Sequence, residues 1–321
     1  LHPPQYRRAT IAAAARTAQM DQTPTRRTVS RAGHHRRRRL VAVLVLAGFV
    51  VLAAVALRNP GGGGSHSRSP QEHARALQAE RAAATLERRS PAHRAENAAI
   101  MRILRRESFV RVAGRQTRSV ALTFDDGPGP YTGRILDTLH RFGAKATFFT
   151  LGMEAGRHQL ELHRALADGH AIGNHSWGHA DLTEGAAARA RLQILDANAA
   201  LVAAGAPRPR LFRPPYGAYD RRLLRIAREL AMLTVMWSVD ASDYKATSAR
   251  RLAAAVLADT RPGSIILMHD GGGDRTVTAR AMPLIVRGLK RRGLRMVTVP
   301  RLLMDNPPPE RQDRVGRIPR A

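Results

Sequence analysis

Between about Ser108 and Asp305, short apolar runs alternate with stretches of helical pattern, and this alternation constrains the fold more than any other feature of the chain. The runs are SVALTF (119–124), ATFFTL (146–151), HAIGN (170–174), LFRPP (211–215), LTVMWS (233–238), SIILMH (264–269) and RMVTVP (295–300). Helical stretches lie between them at 133–141, 186–204, 220–230, 248–259 and 278–292. Strands separated by helices pair in parallel, because each helix returns the chain to the same end of the sheet. The expected fold is therefore α/β, a distorted (β/α) barrel of about seven mostly parallel strands. An open doubly wound sheet fits the same alternation. The segment 108–305 is long enough to bury one core, and no internal repeat is visible in it.

The flanking segments read differently. Residues 1–39 are polar and rich in Arg, and are expected to form a disordered tail. Residues 40–57 carry no charge over 18 positions, close to the roughly 20 needed to span a bilayer as a helix. Arg36–Arg39 precede them directly. That order predicts a single-pass membrane anchor with its N-terminus in the cytoplasm and the following domain outside. A cleavable signal is the alternative, since Ala54–Ala56 forms a small-residue pattern, although the apolar run exceeds the usual core of about 7–15 residues. Gly61–Ser65 is a flexible linker, and 58–107 is expected to be that linker followed by an exposed helical stalk. Residues 306–321 carry Pro and charge without a core pattern and are expected to be a disordered tail.

The net charge is +28, and it is uneven: residues 1–60 hold 11 Arg against one acid, Asp21. Such a balance suits nucleic acid, anionic lipid or an anionic cell wall. The His34–Arg39 run has no interleaved aromatics and adjoins the apolar segment, so membrane orientation explains it and no nucleic-acid partner is expected. The chain has no cysteine, which excludes disulfide and thiolate chemistry.

In parallel α/β folds, functional groups gather at the carboxyl ends of strands. Here Asp125 and Asp126 follow the first run, and His175 and His179 follow the third. Arg213 lies in the fourth run with Tyr216 after it, Asp240 and Asp243 follow the fifth, and His269 ends the sixth with Asp270 behind it. His175 and His179 are four residues apart, a spacing that puts both imidazoles on one face of a helical turn. Two imidazoles and one carboxylate form a donor set of catalytic zinc sites that keep a position open for water. On local chemistry alone, the adjacent acids of DDGP suit either a solvated turn or a metal site in which each acid has its own task.

TFDDGP, HSWGH, RPPYG, DASDY and LMHD occur in this order. Together they resemble the motifs of the polysaccharide deacetylases, carbohydrate esterase family four, over about Val110 to Leu303. The resemblance implies a hydrolase that removes N-acetyl groups from N-acetylglucosamine units of a cell-surface polysaccharide, with peptidoglycan the expected substrate. It implies Asp125 as general base and Asp126, His175 and His179 as metal ligands. Arg213 is expected to orient Asp125, and the Tyr216 backbone N–H to donate to the oxyanion. His269 is expected to act as general acid with Asp243 holding it, and Leu267 to shape the pocket for the acetyl methyl. Trp237 and Tyr244 are expected to line the substrate groove. These tasks match what amide hydrolysis needs: an activated water, charge stabilisation on the oxyanion and a proton for the departing nitrogen. Zinc is the expected metal, and cobalt, manganese or nickel suits the same donors. An O-acetyl esterase acting on a xylan-like polysaccharide would use the same site. A wall-binding protein without turnover would lack a ligand or the base, and all are present. One departure stands out: the fourth motif commonly ends in Trp, and this chain has the smaller, hydroxyl-bearing Tyr244 there.

Overall fold

The computed structural model describes residues 91–310 and 312. The expected tail at 1–39, the expected anchor at 40–57 and the expected linker and stalk up to residue 90 lie outside the described residues. No helix among the described residues is long and apolar enough to cross a membrane.

Helix α1 (Pro91–Arg106) and strand β1 (Phe109–Val110) come first. Then follow β2 (Ser119–Asp125), α2 (Thr132–Arg141), β3 (Ala146–Thr150), α3 (Gly152–Ala155), α4 (Gln159–Ala167), β4 (Ala171–Asn174), α5 (Ala187–Ala203) and β5 (Leu211–Phe212). The chain continues through α6 (Arg221–Glu229), β6 (Leu233–Val235), β7 (Val239–Asp240), α7 (Ala249–Asp259), β8 (Ile265–His269), α8 (Thr276–Arg291), β9 (Arg295–Met296) and α9 (Val299–Asp305). The sheet runs β1-β6-β5-β4-β3-β2-β8-β7, with β9 also paired to β2. Every strand pair is parallel. No pairing joins β1 to β7 among the described residues, so the distorted barrel is open on that side.

Each of the seven expected runs contains a strand. The sheet has nine because β1 and β7 are only two residues long, too short to show a period of two. The last run gives only β9, because Thr298 caps a new helix by accepting the Arg301 N–H and Pro300 sits in its first turn.

Strand β2 shows how the core positions the site. All seven of its residues are buried, as expected for a strand covered on both faces. Val120, Leu122 and Phe124 join a core with Ile135, Leu136 and Leu139 of α2, Val256 of α7 and Ile285 of α8. Ala121 joins a second core with Phe149, Leu211, Leu233 and Ile265. Each fully buried Leu or Phe contributes roughly 1.5–3 kcal/mol. Side chains alternate with period two, so Asp125 shares the face of Ala121 and Thr123 and is directed into the barrel interior.

Two boundary expectations are corrected. Helix α1 is not an exposed stalk: Ala99, Ile100, Ile103 and Leu104 recur at helical spacing, and the last three share the second core with Leu302 and Leu303 of α9. The described start of the tail is also tied down. Asn306 is fully buried and accepts the Thr117 N–H at 2.6 Å. Gln312 Oε1 accepts the Arg111 and Val112 N–H groups at 2.9 and 3.2 Å.

Candidate active site

Asp125 ends β2, and its register partner on β8 is His269, about 4.8 Å away at the backbone. Arg213, just past β5, lies beneath Asp125 with no solvent exposure. A buried guanidinium needs acceptors for its donors, and the interior supplies four. Nη1 donates to Asp125 Oδ1 at 2.7 Å and to Thr123 Oγ1 at 2.8 Å. Nε donates to the Val235 carbonyl at 2.9 Å, and Nη2 to the Met236 carbonyl at 3.2 Å. The guanidinium carbon sits 4.1 Å from the Phe149 ring centroid and 5.6 Å from that of Trp237.

Asp126 turns away from its neighbour because its backbone is left-handed, with φ 72°. Ser176, His179, Tyr216 and Ser242, all in loops at the strand ends, also have positive φ. Such conformations cost about 1–3 kcal/mol each and persist where the surroundings impose them. Asp126 Oδ1 lies 3.3 Å from His175 Nε2 and 3.2 Å from His179 Nε2. The three donor atoms lie within 4.8 Å of one another.

The expected helical turn between the two histidines is not there. Strand β4 stops at Asn174, and a side-chain-braced loop brings the rings together. Asn174 Oδ1 accepts the Ser176 N–H at 2.8 Å, and Ser176 Oγ accepts the His179 N–H at 3.1 Å. The ring centroids end 5.1 Å apart. Asn and Ser favour such local bonds over helix continuation.

His175 Nδ1 lies 2.7 Å from the Arg213 carbonyl. A carbonyl only accepts, so Nδ1 carries the proton and Nε2 presents its lone pair towards Asp126. Asp126 Oδ1 is buried and has no hydrogen-bond partner. A buried carboxylate oxygen without a donor, facing imidazole nitrogens, fits a divalent cation of the zinc type.

His269 is held from behind. Its Nδ1 lies 2.7 Å from Asp243 Oδ1, and its backbone N–H donates to Asp243 Oδ2 at 2.9 Å. The Thr278 hydroxyl donates to the same Oδ2 at 2.7 Å. Burial opposes charge on His269, but Asp243 outweighs it and raises the ring above its ordinary range. Burial would raise Asp243, and His269 together with Thr278 holds it low.

The remaining expected residues surround these groups. Leu267 lies two residues before His269 on β8, on the same face, and is buried. The exposed Tyr216 ring packs edge-on to His179 at 4.4 Å. Tyr244, half-exposed, meets His269 edge-on at 5.7 Å, with Lys245 Nζ 5.2 Å from its own ring. Trp237 is partly buried beside Arg213. Asp240 stands apart and closes a turn by accepting the Ser242 N–H at 2.7 Å.

Residues 270–275 carry contacts that sequence reasoning did not assign. The Asp270 carboxyl is buried, accepts the Thr132 hydroxyl at 2.5 Å, and packs where a Cβ on Gly127 would fall 2.2 Å from its Oδ2. Burial, reinforced by Asp126 and Asp125 against the Thr132 bond, pushes it up to about 7. The available signals were its place directly after His269 and the three consecutive glycines that follow.

The model of a family described as polysaccharide deacetylase matches residues 113–235. A peptidoglycan-N-acetylglucosamine deacetylase of Bacillus cereus is 36% identical over 187 residues, covering 57% of this chain and 87% of that protein. A chitooligosaccharide deacetylase of Bradyrhizobium sp. is 36% identical over 211 residues, covering 61% of this chain and 95% of that one. The crystal structure of the Bc1960 peptidoglycan N-acetylglucosamine deacetylase superposes with a TM-score of 0.59 at 36% identity, covering 61% of this chain and 92% of that chain.

Proposed function

Because the chain belongs to the polysaccharide deacetylase family, we propose that it is a metal-dependent hydrolase that removes N-acetyl groups from N-acetylglucosamine units of a cell-surface polysaccharide, peptidoglycan foremost. The observation that carries this reading is the partnerless Asp126 Oδ1 facing two imidazole nitrogens. The neighbouring Asp125 carboxylate is clamped by Arg213, and the imidazole of His269, the register partner of Asp125, is clamped by Asp243.

Asp126, His175 and His179 hold the cation, with zinc the best match to two imidazoles and a carboxylate. When bound, the cation polarises the acetyl carbonyl and brings the pKa of water towards neutrality. Asp125 takes the proton from the attacking water, and Arg213 fixes which of its oxygens is free to do so. Oδ1 is committed to Nη1 at 2.7 Å, which leaves Oδ2 as the base. The Tyr216 N–H donates to the oxyanion as the carbonyl carbon becomes tetrahedral. His269 then delivers its proton to the departing nitrogen. Asp243 occupies Nδ1, so Nε2 is the nitrogen that donates. Leu267 bounds the acetyl methyl, and Tyr216 and Tyr244 flank the sugar. Segment 40–57 anchors the chain with the catalytic unit outside the membrane; the arginines at 36–39 support this orientation.

The test compares acetate release from N-acetylated and O-acetylated oligosaccharides of matched length. The reading requires release from the N-acetylated series with equimolar free amine. Turnover confined to O-acetyl groups would make the protein an esterase.

A further inference from the structure

The segment DGGGDR (270–275) carries a contact set that the catalytic steps do not use. A Cβ on Gly271 would fall 2.3 Å from the Asp126 carbonyl oxygen and 2.8 Å from the Gly127 nitrogen. One on Gly272 would fall 2.5 Å from Asp126 Oδ2 and 3.1 Å from its Cβ and Cγ. The turn therefore lies flush against both the backbone and the carboxylate of Asp126. Gly272 and Gly273 have φ of 68° and 135°, conformations that glycine adopts without steric cost.

Arg275 ties this turn to α8. It is buried, and its guanidinium donates to three backbone carbonyls: Gly271 at 2.7 Å, Gly272 at 3.0 Å and Asp274 at 3.4 Å. A guanidinium can hold carbonyls in a fixed fork, which an ammonium cannot. Asp126 has a strained backbone, and its Oδ1 has no hydrogen bond. What bounds the other side of its carboxylate is the backbone of Gly272.

We propose that the Gly271–Gly273 turn, clamped by Arg275, locks the Asp126 carboxylate in its cation-facing orientation, which makes Arg275 a positioning residue that sets metal affinity. Without the wall, the carboxylate gains rotamers that must be lost again when a cation binds, and affinity falls. Outer-shell partners of metal ligands typically account for about 10–100-fold in affinity. The inference rests on the reading of Asp126 as a ligand.

The experiment is zinc binding by the full chain, measured by competition with a chromophoric chelator, together with melting of the metal-free protein. Arg275→Met, which frees the turn, and Gly272→Ala, whose Cβ would fall 2.5 Å from Asp126 Oδ2 and push the carboxylate out of its orientation, should each weaken zinc binding by about 10–100-fold. Arg275→Lys should fall between Arg275→Met and wild type. Gly272 lies on an exposed turn, so Gly272→Ala provides a folded variant if Arg275→Met fails to fold. Gly143→Ala is the control: its φ is 61°, and a Cβ there meets nothing within 4 Å. It should lose stability through the same backbone strain and keep wild-type zinc affinity. Wild-type zinc affinity in Gly272→Ala and Arg275→Met, with only melting lowered, would overturn the inference. A wild-type chain that binds no zinc would overturn the metal reading itself, and this inference with it.

Discussion

Removing Arg213 tests the buried clamp most severely. In Arg213→Met the apolar stem is kept and the guanidinium lost. Asp125, whose side chain is 4% exposed, is then a buried carboxylate without its cation. Breaking a buried pair from one side costs about 3–5 kcal/mol. The Val235 and Met236 carbonyls also lose their donor, at roughly 1–3 kcal/mol for each group left unsatisfied, and these losses overlap because the groups share one network. A destabilisation of at least about 3 kcal/mol is expected. Adding Asp125→Asn removes the stranded charge, so the double variant should be more stable than the sum of the single effects by about 1–3 kcal/mol. The assay is urea unfolding followed by tryptophan fluorescence, for which Trp237 is a local reporter at 5.6 Å from the guanidinium. A loss below about 1 kcal/mol, or strict additivity in the cycle, would refute the clamp.

The two neighbouring acids should separate cleanly. Asp125→Asn should retain zinc and lose about 10²–10⁴ in kcat, whereas Asp126→Asn should lose both, checked by metal content and acetate release. For His269, the ring must be protonated to act, and Asp243 raises its pKa against burial. Activity should therefore persist above pH ~6.5, the ordinary histidine range, and fall as pH rises through the raised value. Asp243→Asn should move that alkaline limb to lower pH in a kcat/KM profile. His170 behaves in the opposite sense: burial, with Lys145 next in size, lowers it to about 4. Its Nδ1 accepts the Ala146 N–H at 3.1 Å, which requires the neutral ring. The unfolded chain binds the extra proton between about pH 6.5 and 4, so stability is full above this window and falls by roughly 3 kcal/mol as pH drops through it. His170→Asn keeps an acceptor there and should flatten that part of the unfolding free energy measured between pH 7 and 5.

The parallel α/β plan was legible because strands such as β2 and β8 are continuous apolar runs that end abruptly at charge. Period-two alternation then placed Asp125 on the interior face. The ligand set was legible because Asp126, His175 and His179 are strand-end residues of the right chemistry. What brings them together was not. The histidine loop depends on Asn174 and Ser176 side-chain bonds, and the left-handed backbone of Asp126 is imposed from outside. The roles of Gly271 and Gly272 were not legible, because they lie in contacts with Asp126, some 145 positions earlier in the chain. Helix α1 was misread as a stalk because its many charges hid a narrow apolar stripe, Ile100, Ile103 and Leu104.

The central claim is cation-dependent N-deacetylation, and one measurement reaches it directly. Purified protein is incubated with a peptidoglycan fragment ending in N-acetylglucosamine, and acetate and free amine are quantified before chelation, after it, and after zinc is restored. The account predicts equimolar acetate and amine, loss of both on chelation, and recovery with zinc. Acetate release that continues undiminished in the chelated protein, or that proceeds without amine formation, would contradict it.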